Sequence, residues 1–357
     1  MNTNSGKRKT FQSPKRILII RLSSIGDIVL TFPLLQALHQ ALPQAEIDYV
    51  IRQEYAELLQ AAPPLHHIWT YNTATGLPGL WQLRQTLKER QYDVVLDLHR
   101  NMRSLLLRLG RVGNQVAAIH KHVFRRWLLV QFKWNTFTNP LPVAHKYLFT
   151  ARRAGLHLTL PETYFFLPQT ITEKMHPITQ ELLLQNFRVV MAPGARHATK
   201  QWPAEYYQQL IQLIFQQYGW RTVLVGSATE APLLQRIART TPDLTRLFPG
   251  NLSLLESAAL IEALPYFISN DSGLMHIAAA LHKPQLAFFG PTVREFGFFP
   301  LNDRAIVLEQ KELTCRPCSH LGTEHCPLGH FRCMRETTPE QAFQAFQQLV
   351  KSSIETP

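Results

Sequence analysis

The sequence predicts an α/β protein made of two open, doubly wound, mostly parallel sheets that face each other. Short aliphatic runs alternate with segments whose apolar residues recur at helical spacing, as in a parallel sheet covered by helices. The alternation weakens around 160–186 and then restarts, and the chain of 357 residues is longer than one hydrophobic core usually supports. We therefore expect two domains, 1–175 and 176–337, with a proline-marked linker at 167–185.

Four strands and two helices are expected in the first half. Aliphatic runs predict the strands at 16–22, 46–51, 68–71 and 93–98. Apolar residues at helical spacing from Ile28 to Leu42 predict a helix that Pro43 ends, and a second helix is expected at 80–90. Because parallel strands need crossover connections, this pattern favours a single parallel sheet.

The second half repeats the alternation. Its strands are expected at 188–192, 221–225, 266–269 and 285–289, and its helices at 204–218, 254–264 and 274–281. Thr338 is a good N-cap and Pro339 a good first residue for a last helix. This C-terminal segment, 338–357, is expected to form a helix that could pack back on the N-terminal domain.

Composition limits the functional classes. An apolar share of 45% and a charged share of 17% suit a globular protein with a sizeable core. No apolar run approaches the length of a membrane span, and the basic N-terminus has too short an apolar run for a signal peptide. We therefore expect the chain to stay in the cytosol.

A long basic region lies between 98 and 161, where the chain has no Asp or Glu. Its basic residues are Arg100, Arg103, Arg108, Arg111, Lys121, Arg125, Arg126, Lys133, Lys146, Arg152 and Arg153. Such a field attracts nucleic acid, an anionic membrane or a phosphorylated substrate, and a generic solubilising surface is the alternative. Within it, 125–130 either lies on a membrane with its arginines at the headgroups or forms an internal helix with a basic face.

Polar turns follow the predicted strands, at the edge where open α/β sheets bind ligands. After the first strand, Gly26 permits close backbone approach, and Asp27 is either a general base or a plain helix N-cap. After 188–192, amides around Gly194 can hold an anion and Lys200 adds a charge, unless this is a solvated basic loop. Glu230 is within reach of a nucleoside ribose, although it is also an ordinary residue for a helix start.

The turn after 266–269 is the most informative. Gly273 opens a helix whose free amides and dipole can face a diphosphate. Asp271 and Ser272 can cap this helix, and His276 returns to its first turn, although a helical histidine is often only a packed group. The chain has neither a GxGxxG opening the first βα unit nor a GxxxxGK[ST] loop. These features favour a donor nucleotide held by the second domain, opposite a carboxylate of the first.

Three segments carry a family resemblance: RLSSIGDIVLTFPLLQAL, APGARHATKQWPAEYY, and SNDSGLMHIAAAL with the later FFGPT. Together they resemble glycosyltransferase family 9, the bacterial ADP-heptose:lipopolysaccharide heptosyltransferases, over nearly the whole chain. The cysteine segment looks most like the heptosyltransferase II branch. The resemblance implies a GT-B fold of two Rossmann-like domains around a cleft. It also implies an inverting, metal-independent transfer of heptose from ADP-heptose to the inner core of lipopolysaccharide.

The resemblance also implies residue roles. Asp27 would be the general base, and Lys200 with the amides around Gly273 would stabilise the departing diphosphate. The donor-binding residues it implies are Gly194, Arg196, Thr199, Glu230, Asp271, Ser272, Gly273, Leu274 and His276. The acceptor-binding residues it implies are Ser24, Gly26, Arg100 and Arg103. Arg196 stands where relatives often carry a hydroxyl residue, so it would hold the phosphates by charge instead.

The partners implied are ADP-heptose as a substrate, an anionic lipid A–core acceptor for the basic region, and the inner-leaflet membrane surface. No cofactor and no nucleic acid is expected, and the enzyme would act as a peripheral monomer at the cytoplasmic face of the inner membrane. Two alternatives remain: a GT-B transferase of another nucleotide sugar, and a basic nucleic-acid-binding protein. The second lacks any recognised nucleic-acid-binding motif.

Four cysteines lie close together near the C-terminus: Cys315, Cys318, Cys326 and Cys333. In a cytosolic protein we expect them to be reduced. The spacing C-x2-C-x7-C-x6-C could hold a structural zinc ion, and free thiols in a surface loop are the alternative. No catalytic metal is expected under either interpretation.

Overall fold

The computed structural model describes residues 14–162 and 165–355. These residues form two parallel sheets, one in each half of the chain, with hydrophobic clusters on both faces of each sheet. The predicted α/β class is confirmed. Within the described ranges, no helix is both long enough and apolar enough to cross a bilayer.

The first sheet has the strand order β3-β2-β1-β4-β5. Its strands are β1 (Arg16–Ile20), β2 (Glu46–Arg52), β3 (His67–Tyr71), β4 (Tyr92–Asp97) and β5 (Gly113–Ala118). The helices of this half are α1 (Ile25–Val29), α2 (Phe32–Ala41), α3 (Gly76–Glu89), α4 (Met102–Arg108), α5 (Val123–Phe132) and α6 (Val143–Arg153). Strand β1 is central and pairs in parallel with β2 and β4, so its aliphatic run is buried on both faces.

The second sheet has the order β11-β10-β9-β6-β7-β8. Its strands are β6 (Phe187–Ala192), β7 (Arg221–Gly226), β8 (Thr245–Pro249), β9 (Tyr266–Asn270), β10 (Gln285–Phe289) and β11 (Ala305–Glu309). The helices are α7 (Gln169–Leu184), α8 (Ala204–Tyr218), α9 (Ala231–Ala238), α10 (Leu254–Ala263), α11 (Gly273–Ala280), α12 (Arg332–Arg335) and α13 (Pro339–Glu355). Strands β6 and β9 are its central pair, with parallel partners on both sides.

The segment 167–185, predicted as the interdomain linker, contains helix α7, which includes Pro177 and packs against α10. The expectation for the C-terminal segment needs correction. The C-terminal helix α13 does not return to the N-terminal domain. Its Phe346 and Leu349 are buried in the cluster that covers the second sheet, next to α8, because that face of the sheet would otherwise be open.

The two halves share a hydrophobic cluster at their junction. Ile28 and Val29 of α1 belong to the same buried cluster as Leu255 of α10 and Ile277 of α11. A hydrogen bond from the Leu255 amide to the Glu57 carboxylate, 3.0 Å, also joins the halves. This junction brings the start of α1 against the start of α11.

Candidate active site

The predicted site residues follow the strands at which each sheet reverses its direction of winding. In the first sheet the chain extends from β1 to β2 and β3 on one side, and continues through β4 and β5 on the other. In the second sheet β6 and β9 have the corresponding positions. Open α/β sheets bind ligands in the crevice outside the carboxyl ends of such strands. Asp27 follows β1, Gly194 follows β6 and Asp271 follows β9, so all three lie at these crevices.

Asp27 is held by three groups of its own half. Its Oδ1 is 2.6 Å from Arg21 Nη2, and its Oδ2 accepts a hydrogen bond of 2.9 Å from the Ser24 hydroxyl. Tyr147 of α6 donates its hydroxyl to the Asp27 carbonyl at 3.4 Å. Arg21 is itself buried and donates to the Leu98 carbonyl, which fixes the guanidinium between β1 and β4. The carboxylate therefore has a defined orientation at the cleft.

Opposing effects act on the pKa of Asp27. Burial alone would raise this pKa, but the Arg21 guanidinium and the Ser24 hydrogen bonds lower it below its ordinary value. The group is consequently a carboxylate at neutral pH, which is the form that can accept a proton. Its side chain remains partly accessible, at 18% exposure. These properties fit a base at a cleft as well as they fit a helix cap, and the capping box of Ser24 and Asp27 shows that it is also a cap.

Gly26 and His276 bring the two halves of the site into contact. A Cβ placed on Gly26 would overlap the imidazole of His276, and one on Gly273 would lie 2.8 Å from Ile25. Only glycine permits this approach of the two helix starts. The amides at the start of α11 thus lie directly across the junction from the Asp27 region.

His276 and Ser272 present polar atoms at this junction. Neither Nδ1 of His276 nor Oγ of Ser272 has a hydrogen-bond partner among the described residues, although both atoms are buried. Burial lowers the pKa of His276 to about 4, more than the Asp271 and Asp27 carboxylates raise it, so the ring is neutral. Buried polar atoms usually have partners, so these two are candidates for direct contact with a ligand.

Lys200 forms an ion pair with Asp271 beside the start of α11. The Lys200 ammonium is 2.6 Å from Asp271 Oδ2, which also accepts a hydrogen bond of 2.8 Å from the Thr292 hydroxyl. Both members of the pair are largely buried. The predicted point charge is therefore next to the predicted anion site at Gly273, and Asp271 holds it there.

Glu230 lies against Gly194, between the ends of β6 and β7. A Cβ on Gly194 would overlap the Glu230 carboxylate, so any larger residue here would displace that carboxylate from its present position. Glu230 Oε2 accepts hydrogen bonds from the Ser227 amide, 2.7 Å, and the Ser227 hydroxyl, 2.9 Å. The bonds to Ser227 fix Glu230 at the strand ends, as a ribose contact would require.

The other predicted donor residues differ in their surroundings. Arg196 is exposed, and Leu274 packs against hydrophobic clusters of both halves. The hydroxyl of Thr199 is engaged elsewhere: it donates to the Thr323 carbonyl at 2.8 Å and accepts from the Thr323 amide at 2.8 Å. Thr199 thus ties the loop after β6 to the cysteine segment.

Of the predicted acceptor residues, Gly26 is buried, Ser24 is half-buried, and Arg100 and Arg103 are exposed. Ser24 bonds Asp27, and Gly26 touches His276, as described above. Arg100 donates to the Ile119 carbonyl at 3.0 Å, which orders the turn after β4. Arg103 lies on α4 and is exposed.

Four residues around the site were not predicted from the sequence: Arg21, His99, Tyr147 and Asn270. Burial, together with the charges of Arg21 and Lys121, lowers the pKa of His99 to about 3, so it is a neutral ring near Asp27. Asn270 donates to the Pro193 carbonyl at 2.6 Å and accepts from the Trp202 amide at 3.0 Å, which joins the ends of β6 and β9. For Arg21 a signal existed, since it is a charge at the end of an aliphatic strand.

The four cysteines are free thiols, and Cys333 is buried. Burial, aided by the neighbouring cysteines, raises the pKa of Cys333 to about 12. In the part of the chain that the structure describes, no three His, Cys, Asp or Glu side chains are arranged to hold a metal ion.

Comparison with known proteins gives the family. The sequence matches the model of glycosyltransferase family 9 (heptosyltransferase) over residues 80–328, more than half of its length. The chain belongs to glycosyltransferase family 9. The resemblance inferred from the three sequence segments and the assignment as a glycosyltransferase are confirmed.

Two curated family 9 relatives illustrate the similarity. Lipopolysaccharide heptosyltransferase 1 of Pseudomonas aeruginosa is 28% identical over 343 residues, covering 91% of this chain and 92% of that protein. Lipooligosaccharide heptosyltransferase 2 of Haemophilus influenzae is 28% identical over 365 residues, covering 94% and 99%. The match therefore extends over both halves.

Two solved structures support the predicted GT-B fold. The ADP-heptose lipopolysaccharide heptosyltransferase II of E. coli superimposes with a TM-score of 0.72 at 24% identity, covering 95% of this chain and 99% of that one. The family 9 glycosyltransferase of Veillonella parvula gives a TM-score of 0.77 at 19% identity, covering 95% and 98%. At these identities the likeness establishes the fold.

Proposed function

We propose that this family 9 enzyme transfers a heptose from ADP-heptose to the inner core of lipopolysaccharide, with inversion at the anomeric carbon. The observation that carries the proposal is the contact between Gly26 and His276, which places the Asp27 carboxylate opposite the amides of α11. Family membership supports the donor class, because the relatives over the full length are heptosyltransferases.

In this mechanism Asp27 acts as the general base. Its carboxylate accepts the proton of the acceptor hydroxyl while that oxygen attacks the anomeric carbon and the bond to the diphosphate breaks. The ion pair with Arg21 keeps Asp27 ionised before the reaction and holds its orientation. Proper alignment of base and hydroxyl supplies much of the rate enhancement in such transfers.

The second half would bind the donor and stabilise the leaving group. Negative charge that develops on the diphosphate is met by the free amides at the start of α11 and by Lys200. The unpartnered Ser272 hydroxyl and His276 ring are further groups for the donor, with Asp271 holding Lys200 in place. Gly194, Thr199 and Arg196 would form or support the phosphate loop, and Glu230 would accept from the ribose hydroxyls.

The first half, 1–175, would bind the acceptor. Ser24, Gly26, Arg100 and Arg103 lie at or near the ends of β1 and β4, and the basic region around them suits a phosphorylated glycolipid. Such an acceptor is anchored in a membrane, so we place the enzyme at the cytoplasmic face of the inner membrane as a peripheral monomer. The domain of 176–337, with the C-terminal helix packed on it, would be the donor half.

A transfer assay tests the proposal directly. Purified protein is given ADP-heptose and delipidated inner-core acceptor, and ADP release is measured, with UDP- and GDP-sugars as competing donors. Asp27→Asn should lower kcat by about 10²–10⁴-fold while ADP still stabilises the protein against heat. The control Asp243→Asn changes an exposed carboxylate outside the site and should have no effect.

Two outcomes would contradict the proposal. Loss of ADP binding in Asp27→Asn would remove Asp27 from the role of base and make it a donor ligand. Thermal stabilisation by duplex DNA at physiological salt, with none by ADP, would support the nucleic-acid-binding alternative, which no observation on the site favours.

A further inference from the structure

Helix α5 and the two residues after it carry an aromatic surface that nothing in the described fold covers. Phe124, Trp127, Phe132 and Trp134 contact one another in series, with ring centroids 5.9, 5.2 and 5.4 Å apart. We name these four side chains the aromatic ridge. Their exposed fractions are between 48% and 67%, whereas Leu129 anchors the helix from its buried side. A contiguous exposed apolar patch of this kind usually marks an interaction surface.

The ridge is surrounded by positive charge. Arg125 is exposed on the same helix, whereas Arg126 is half-buried and its Nε is out of contact with solvent. Lys133 follows the helix and donates to the carbonyls of Val130 and Pro317. The whole region 98–161 lacks Asp and Glu. One carboxylate from the other half, Glu295, reaches the segment after the ridge and accepts a hydrogen bond from Asn135. Aromatic rings beside arginines and lysines are the composition that stabilises proteins at the interface of an anionic bilayer.

Charge also decides between the candidate occupants of the ridge. A symmetric contact with a second copy would place the two basic regions against each other, since the same patch faces itself across a two-fold axis. Like charges brought together in this way oppose association. An anionic lipid surface gives the aromatic rings an apolar environment and Arg125 a counter-charge at the same time.

We propose that the aromatic ridge inserts into the headgroup region of an anionic bilayer, with the exposed Arg125 binding lipid phosphates. The inference deepens the proposed function, because a membrane-anchored acceptor gives the enzyme a reason to dock. The same half contains α6, whose Tyr147 hydroxyl bonds the Asp27 carbonyl. Docking through α5 therefore keeps the acceptor half, with its proposed base, at the surface where the acceptor is embedded.

Vesicle flotation tests the ridge. The intact protein is mixed with vesicles of phosphatidylcholine alone or of equal parts phosphatidylcholine and phosphatidylglycerol. We expect the wild type to float with the anionic vesicles and the Trp127→Ala/Trp134→Ala variant to show a roughly tenfold or larger loss of partitioning. Trp81→Ala is the matched control, because Trp81 is 49% exposed, against 48% for Trp127, but lies on α3 outside the ridge. This control should float like the wild type.

Several outcomes would overturn the inference. One is equal flotation of the wild type and the ridge variant; another is equal loss in Trp81→Ala. A change from dimer to monomer in the ridge variant, measured by light scattering, would identify the ridge as a contact between copies. If the variant does not fold, insertion is tested on the wild type by quenching of its tryptophan fluorescence with brominated anionic lipids. An unquenched signal would refute insertion.

The flotation experiment requires neither donor nor acceptor, so it does not depend on the proposed activity. A chain that floats but fails to transfer heptose would leave the ridge inference standing and overturn the proposed function. In the opposite case, transfer to a water-soluble acceptor without flotation would overturn only the ridge inference. The ridge variant should retain the wild-type kcat on the water-soluble acceptor, because no ridge residue lies in the proposed machinery.

Discussion

Replacing Arg21 should shift the pH dependence of the enzyme. Arg21 Nη2 is 2.6 Å from Asp27 Oδ1, and the guanidinium side chain is only 8% exposed. In Arg21→Met the positive charge is lost, while the methionine fills part of the same volume. Burial then acts on Asp27 without its main opposing charge, so the pKa of Asp27 should rise.

The size of the shift follows from the geometry. Two unit charges about 4 Å apart interact by about 4 kcal/mol at an effective dielectric constant of about 20. In proteins only part of this interaction energy appears as a pKa shift, and an adjacent arginine lowers a carboxyl pKa by about 1–3 units. Because the pKa of Asp27 is lower in the folded protein than in the unfolded chain, ionised Asp27 stabilises the fold. This stabilisation is fully present above the ordinary carboxyl pKa of about 4 and is lost as the pH falls through the folded-state pKa. Arg21→Met should remove this contribution and destabilise the fold by about 3–5 kcal/mol, since it leaves a buried charge without its partner.

The assay is the pH profile of kcat/KM for heptose transfer. The acid limb of Arg21→Met should lie about 1–3 units above that of the wild type. Arg21→Lys keeps the charge but loses the hydrogen bond to the Leu98 carbonyl, so its acid limb should stay near that of the wild type. An acid limb that is the same in the wild type and in Arg21→Met would show that Asp27 does not control it, and would refute this reasoning.

Three further predictions concern the second half. Lys200→Ala should lower kcat, measured by ADP release, about 10²–10³-fold, because it removes a charge beside the proposed diphosphate. An unchanged kcat would mean that the ion pair of Lys200 with Asp271 is purely structural. The folded-state pKa of His276 is lowered to about 4, so protonation below about pH 6.5 favours the unfolded chain. In urea unfolding, the wild type should therefore lose on the order of 3 kcal/mol of stability relative to His276→Leu near pH 4. Parallel stability curves for the two proteins would contradict the buried neutral ring. The Thr199 hydroxyl holds the loop after β6 through Thr323, so Thr199→Val should raise KM for the donor more than it lowers kcat, and Thr199→Ser should restore KM. A defect in kcat alone would instead indicate direct phosphate contact in the transition state.

The central strands could be predicted from the sequence because they are buried on both faces. Ile17 to Ile20 of β1 are fully buried and all aliphatic, and Phe267 and Ile268 of β9 are fully buried in the same way. The strand ends then indicate where polar turns lie, which is why Asp27, Gly194 and Asp271 could be selected as site residues. Their proposed roles in catalysis remain predictions.

Among the strands at the edges of the sheets, β3 was predicted from the sequence, whereas β5, β8 and β11 were not. Strand β5 is largely exposed, so its sequence GNQVAA shows no aliphatic run, whereas the run in AIVLE of β11 is half-buried and was missed. Helix α7 was not predicted, because prolines mark breaks in most helices. Here Pro168 precedes the first turn, and Pro177 is accommodated within the helix. Contacts between distant segments, such as the bond from Tyr147 to Asp27, have no local sequence signal.

The junction between the halves determines how precisely the two parts of the site can be placed. The starts of α1 and α11 approach closely, with the His276 side chain against Gly26 and the Ile25 side chain against Gly273, and a shared apolar cluster lies behind them. The distance between the proposed base and the proposed leaving-group site is therefore set by packed helices rather than by loops. Packed interiors resist small displacements, so this distance should vary little as substrates bind. A side chain at either glycine would push the helices apart and weaken the base and the diphosphate site together, which is the coupling expected of one active site built from two domains.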